Sequence, residues 1–474
     1  MTLTLREFFQ VAGLGFLLAL FTCLDPPISA WIGIDRFPFM LSAILAAVLV
    51  FLLVVFLSRE SLWRERDRWA IFIAVGMAQF SGIALGKLDM LEVATVGLFG
   101  FWIIQTLAEG DRRLQISPVL FFVLGLYFLS ILSMVNRPQV TSYIAFAEKF
   151  ILFFLVVDFL RRRPLVKASG RFLIWAGAFS ALAAIVQFVA FAFWGKILTL
   201  DAPDENPQSI LKPTFLGMMV RVIAFFPNPA GLNDYLLFVL PLALFAMTVT
   251  RKGRHKVLYG AVALMMAAAV LLTWSAAALI GVALIAFLFF YIHRPSLSIQ
   301  YSGLVVLGTI GLYELGFLKV AKRLFEGFGG ASSGSVRMDL LQLGFESLRR
   351  SPFIGLGIQN FGSFSKNYFP TGPYIFKYPV HNAFVQMAAE LGIFGGLLFV
   401  GVVAFISLRL LWALSGDLGE EQWIFKGFLL GWIAIVFHMM TEPMAYEGTL
   451  WLILGLIEGC AITMARKRPI DAGP

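Results

Sequence analysis

Three residues of this chain combine a reactive type with an exposed setting: Arg221, Arg337 and His381. A guanidinium presents a rigid fork of donors that fits phosphate oxygens, and it cannot lose its proton. Two of them can hold a diphosphate and stabilise it as a leaving group, which is electrostatic catalysis. An imidazole titrates near neutral pH and can take a proton from a hydroxyl. Each also has an ordinary reading, as a solvated or headgroup-bound arginine or as a histidine that only tolerates the water–lipid boundary. The surroundings shift that balance. His381 is followed by Asn382 where the chain re-enters an apolar run, and Glu390 lies inside that run. A carboxyl at that depth must face protein and have a partner. At the helical rise it sits about 13 Å below His381, so it braces a facing helix or loop without touching the histidine. Arg221 opens a Pro- and Gly-broken segment, through Pro227-Asn228-Pro229 and Gly231 to Asn233-Asp234. Backbone broken at membrane depth needs burial in protein or a water-filled cavity.

Other polar groups carry weaker signals. Arg337 precedes a helix-like stretch, Met338 to Leu348, expected to lie on the membrane surface or to cap the bundle. The preceding Gly329–Ser335 reads as a flexible hinge. Pro352, Gly355 and Gly357 shape a tight loop that leads to Asn360-Phe361. Arg349-Arg350 is assigned to lipid headgroups. Glu148, Lys149 and Asp158 fall inside one span and either pair with other helices or line a route. His438 and Glu442 form a weaker second cluster, and Asp201, Asp204 and Glu205 a solvated patch. The four His are dispersed and no P-loop pattern is present, so neither a metal nor a cofactor is expected.

The elements that must position these groups are membrane spans. The chain is 59% hydrophobic and only 14% charged, with a mean hydropathy of +0.86, where soluble domains carry about 25% charged residues. Apolar runs long enough to cross a bilayer recur along the whole length. Spans are expected near 8–24, 38–57, 69–86, 90–107, 117–134, 142–160, 172–194, 230–250, 257–273, 275–292, 300–318, 383–408, 423–440 and 447–465. This gives an all-α polytopic membrane protein of about 14 (12–14) transmembrane helices in a single domain, 1–474. Thr273-Trp274-Ser275 is either a tight turn between two spans or the middle of one long helix. The loops at 58–68, 109–116, 161–171 and 251–256 are rich in Lys and Arg, whereas the alternate short loops carry little more than Arg36, Lys87 and Arg137. Positive loops stay in the cytoplasm. Both termini are then cytoplasmic, and the large loop 319–382 and the smaller loop 195–228 face outward. The net charge of +9 is mostly topology, so no nucleic-acid partner is expected. The first span is read as a retained anchor although Ile28-Ser29-Ala30 weakly resembles a cleavage site. Cys23 and Cys460 fall near opposite faces, so no disulfide is expected.

At these residues the chain resembles the O-antigen ligase and polymerase superfamily, the Wzy/WaaL-type membrane glycosyltransferases. The matching pieces are Arg221 with Pro227-Asn228-Pro229, then Thr273-Trp274-Ser275, then Arg337 with Pro352 to Phe361, then His381-Asn382 through Gln386 to Glu390 and Gly395. They cover about 221–400, and earlier spans match in hydropathy alone. The resemblance implies a GT-C-like fold with short amphipathic helices on the large periplasmic loop of a bacterial inner-membrane protein. It implies glycosyl transfer from an undecaprenyl-diphosphate-linked oligosaccharide to a sugar hydroxyl, with no metal. The acceptor is a lipid-linked chain for a polymerase or lipid A–core for a ligase. Membrane lipids and a chain-length regulator are the further partners. By motif position Arg221 and Arg337 take the diphosphate and His381 the acceptor hydroxyl, with Asn228, Asn360, Asn382 and Glu390 as further substrate contacts. Relatives often carry Arg after the Thr-x-Ser element, where this chain has Ala276. The polymerase is the preferred reading. The alternative from another class is a lipid or polysaccharide transporter, built on the ionisable residues inside spans.

Overall fold

The computed structural model describes residues 66–85, 88–109, 117–136, 139–162, 165–195, 211–214, 217–293, 331–368 and 379–467. The spans expected at 8–24, 38–57 and 300–318, the solvated acidic patch, Cys23 and the cleavage-like Ile28-Ser29-Ala30 lie outside these residues. Thirteen α-helices run through the described chain: α1 Arg66–Ala78, α2 Met90–Glu109, α3 Val119–Ser133, α4 Val140–Arg162, α5 Val166–Trp194, α6 Pro229–Val249, α7 Gly253–Leu271, α8 Ala276–His293, α9 Ala331–Arg350, α10 Phe361–Tyr368, α11 Ala383–Leu414, α12 Gln422–Met439 and α13 Gly448–Lys467. Two antiparallel hairpins join them, β1 Ala84–Leu85 with β2 Leu88–Asp89 and β3 Leu211–Thr214 with β4 Gly217–Val220. Among the described residues, eight helical segments are long and apolar enough to cross a membrane, and α3 is a shorter apolar helix. The protein is therefore a helical, polytopic membrane protein.

The outward side chains show which solvent the bundle meets. On α11, Leu397, Val400, Leu408 and Leu411 are exposed, while Phe399, Val402, Val403, Ile406 and Leu410 are buried. An apolar face of that size is a liability in water and is normal against lipid. One apolar core reaches from Ala70 to Met464. Within it α6 packs most extensively on α12, α13 on α4, α7 on α6 and α11 on α3. Small residues permit the closest approaches: a Cβ at Gly431 of α12 would meet the backbone of Phe238 on α6, and one at Gly459 of α13 would meet Leu160 on α4.

Two breaks in the helices matter for function. Thr273-Trp274-Ser275 is a turn between α7 and α8, with Trp274 at φ +53°. The second break interrupts α11 at Gly392, which adopts φ 78°, ψ 178°. The carbonyls of Ala389 and Glu390 lose their helical partners there. They accept instead from Leu356 N and Gly357 N, each at 3.0 Å, while Ile393 N donates to the Pro352 carbonyl at 2.8 Å. The Pro352–Asn360 loop thus docks on the opened backbone of a membrane helix. Gly355, at φ +73°, touches Glu390 so closely that a Cβ would collide with its carbonyl.

Three local expectations are corrected. The expected span at 69–86 ends as a helix at Ala78, because Gly82 turns to donate its amide to the Phe225 carbonyl at 2.8 Å. Arg337 lies within α9 and does not precede it, and Ala331–Ser335 is helical where a hinge was expected. The α9 helix caps the bundle, burying Leu340 with Phe361, Val380 and Ala389.

Gly392→Ala should lower the unfolding midpoint in detergent, by the equivalent of about 2 kcal/mol or more, since an L-residue in this conformation costs about 1–2 kcal/mol before any collision. Gly97→Ala, where an added Cβ meets no atom within 4 Å, serves as the control. An unchanged midpoint for Gly392→Ala would remove the docked loop from the stability of the fold.

Candidate functional site

The loop between α12 and α13 brings the site together. Glu442, just past the end of α12, accepts from Arg337 Nη2 at 2.8 Å through one oxygen and meets His381 Nδ1 at 3.3 Å through the other. A carboxylate can only accept, so this contact requires the proton on Nδ1 and leaves Nε2 as the free lone pair of a neutral ring. The side chains are 41% exposed for Arg337, 22% for His381 and 11% for Glu442. The cations can therefore meet a ligand while the anion that organises them is shielded. Burial would raise the Glu442 carboxyl, but the His381 hydrogen bond, the charge of Arg337 and the charges that His381 and His438 carry when protonated outweigh it and hold the group down to about 2.

Arg221 belongs to the same electrostatic unit. Burial disfavours its charge, Glu442 favours it and Arg337 opposes it. Its Nε donates to the Thr273 carbonyl at 2.9 Å, and its terminal nitrogens remain for other acceptors. Thr273 Oγ1 in turn donates to Asn233 Oδ1 at 3.0 Å. The chain after Arg221 is buried in protein: Val222, Ile223, Ala224 and Phe226 are core, and Gln187 Oε1 accepts from the amides of Ile223 and Ala224 at 2.8 and 3.2 Å. The structure therefore brings together Arg221, Arg337 and His381, which are far apart in sequence.

The other predicted substrate contacts have bonds within the protein. Asn228 caps α6, its Oδ1 accepting from Gly231 N at 2.8 Å. Asn382 caps α11, accepting from Phe384 N and Val385 N at 3.0 Å, and donates to the Met440 carbonyl at 3.2 Å. The last bond ties the residue beside His381 to the exit of α12. Asn360 accepts from Gln139 Nε2 at 2.6 Å. Glu390 braces the loop, as its depth required: it accepts from Gln359 N at 2.9 Å, Phe361 N at 3.2 Å and the Tyr446 hydroxyl.

Two features escaped the sequence reading. Glu442 is the hub of the Arg337–His381 cluster and not half of a second one. His438 is fully buried and pairs through Nδ1 with Asp234 on α6. The available signal was the placement of ionisable residues at the ends of apolar runs, but nothing in their spacing links residues 221, 337, 381 and 442. Deeper in the bundle, Lys149 pairs with Glu92 at 2.9 Å and Glu148 at 3.2 Å. Asp158 pairs with Arg161 and Arg162 and accepts from Trp102 Nε1 at 3.0 Å.

A shielded carboxylate in this polytopic bundle thus holds one arginine and one histidine, with a second arginine in range, an arrangement able to take an anionic ligand. Residues 261–400 match the Wzy_C family, described as O-Antigen ligase. The match runs from α7 to the middle of α11 and contains the Thr273 turn, Arg337, the docked loop, His381 and Glu390. It supports a likeness of this stretch to the O-antigen ligase/polymerase superfamily. No curated protein matches the sequence.

The low value held by Glu442 fixes a pH dependence. A carboxyl depressed in the folded state stabilises fully above its unfolded value near 4.5, and that stability is lost as pH falls through about 2. The difference in unfolding midpoint between the wild type and Glu442→Gln should be constant above pH 5 and shrink from there towards pH 2, read by thermal unfolding in detergent. A difference that instead disappears between pH 6 and 8 would contradict this charge assignment.

Proposed function

We propose that the chain polymerises lipid-linked polysaccharide repeat units. The glycan moves from an undecaprenyl-diphosphate-linked donor to a sugar hydroxyl at the periplasmic face of a bacterial inner membrane. The observation that carries this reading is the convergence of Arg221, Arg337 and His381 around Glu442. A polyprenyl donor keeps its diphosphate at the water–lipid boundary, where helix ends and loops supply these groups. Arg337 spends one of its donors on Glu442, and the rest, with the terminal nitrogens of Arg221, take diphosphate oxygens. His381, held by Glu442 with Nε2 as acceptor, takes the proton of the acceptor hydroxyl. The oxygen so freed forms a bond to the anomeric carbon. The bond from that carbon to the diphosphate oxygen breaks, and the electron pair leaves with undecaprenyl diphosphate. A single displacement of this kind inverts the anomeric centre. The arginines stabilise the leaving group by charge, so the reading needs no metal, cofactor or covalent intermediate. Glu390, Asn228, Asn360 and Asn382 position the loops that carry these groups. The bundle is of the GT-C kind in this reading, with fourteen spans, both termini cytoplasmic and a chain-length regulator as partner.

A second reading is the ligase that transfers the finished glycan to lipid A–core, favoured by the description of the matched family. Both activities share the donor site, so one assay separates them. Purified protein with an undecaprenyl-diphosphate-linked repeat unit alone should give a ladder of longer lipid-linked glycans. Arg221→Ala, Arg337→Ala and His381→Ala should each lower the rate about 10²–10³-fold, the usual effect of removing one preorganised donor or one general base. Transfer only after lipid A–core is added would make the enzyme a ligase. Full activity in His381→Ala would remove the assigned base.

A further inference from the structure

A second polar site lies beside the first. A cavity of about 140 Å³ opens between the start of α2, the middle of α4 and the segment Tyr446–Gly448. Asp89, Glu92, Lys149 and Glu447 line it, together with the rings of Phe146 and Tyr446, which meet edge to face with centroids 5.0 Å apart. Its walls are tied to the Arg–Glu–His cluster. Glu447 lies on the same connecting segment as Glu442, and Tyr446 donates to the Glu390 that braces the docked loop. Lys149 sits among the carboxylates in the position a bound cation would take, pairing with Glu92 and Glu148. Glu447, by contrast, has no side-chain hydrogen-bond partner among the described residues. Burial and then the charge of Asp234 push its carboxyl up to about 7, so it can donate as well as accept near neutral pH.

We infer that this cavity is a sugar subsite that takes a polyhydroxylated, non-acidic ring of the glycan. The identification of the ligand as a sugar rests on the proposed function. Carboxylates and an ammonium beside two aromatic rings supply what a pyranose needs: acceptors and donors for its hydroxyls and an apolar surface for its C–H face. Asp89, Glu92 and a Glu447 that is partly ionised near neutral pH outnumber the one ammonium, which sets a sign. A neutral or amino sugar fits, and a uronate adds a further negative charge among them. The polymerase or ligase would then select glycans at this position by charge.

Saturation-transfer NMR on the full chain in detergent tests this without requiring transfer activity. The probes are methyl glucoside, methyl glucosaminide and methyl glucuronide at about 0.1 mM, tenfold below a millimolar Kd, where occupancy scales with affinity. The first two should receive saturation. The glucuronide should receive about tenfold less, the factor that about 1.4 kcal/mol of like-charge repulsion gives. Ala145→Trp, which fills the cavity without removing a polar group, should abolish the signals while the unfolding midpoint stays near wild type. The double variant Asp89→Asn, Glu447→Gln should instead raise the glucuronide towards the neutral glycoside. Equal signals from all three probes in the wild type, no signal from methyl glucoside, or a double variant that still rejects the glucuronide would each overturn the subsite. Failure of the proposed function shows separately, as absence of glycan transfer by a protein that still distinguishes the glycosides.

Discussion

Backbone opened inside a membrane helix must find other hydrogen-bond partners, because lipid offers none. Much of the site follows from how this chain meets that demand at Gly392. The carbonyls released by the break accept from Leu356 and Gly357, and the Pro352 carbonyl accepts from Ile393. A loop that would otherwise be free in water is thereby registered against α11. Glu390 completes the joint from the side-chain direction, through Gln359, Phe361 and Tyr446. Because Tyr446 belongs to the segment that also carries Glu442, the joint ties the docked loop to the charged cluster.

Charge distribution is the second organising element. Three cationic or basic groups of similar location would repel one another and scatter into solvent. Glu442 prevents this by holding Arg337 and His381 on its two oxygens, and its field also favours the charge on Arg221. The same bond selects the His381 tautomer with Nε2 free, which is the form that can accept a proton. One shielded carboxylate thus sets both the spacing of Arg337 and His381 and the tautomer of His381. The arrangement stays open to an anion, since it leaves most arginine donors unused.

The neighbouring cavity has the opposite character, with carboxylates in excess and a single ammonium. The two sites share the Glu442–Glu447 segment, so a diphosphate and a sugar ring on one ligand, or on donor and acceptor, would meet fields of opposite sign a short distance apart.

The sequence by itself determined the membrane class, the placement of most of the described spans, and the three residues that converge. Apolar run length and positive charge in alternate loops are local properties of the chain, and a bilayer filters both directly. It also required that Glu390 brace a facing helix or loop, because a carboxyl at that depth must have a partner, and the structure supplies the loop. Where the chain leaves its helices the local signal failed. Apolar residues continue past Ala78 although the helix does not, and the polar Ser332, Ser333 and Ser335 sit in a helix that was read as a hinge. Only the tertiary structure decided that Thr273-Trp274-Ser275 is a turn, that Glu442 joins residues 337 and 381, and that Asp89, Lys149 and Glu447 enclose one cavity. These are pairings across long sequence separations. They depend on which helix ends lie side by side, and composition and spacing along one strand of chain carry no record of that.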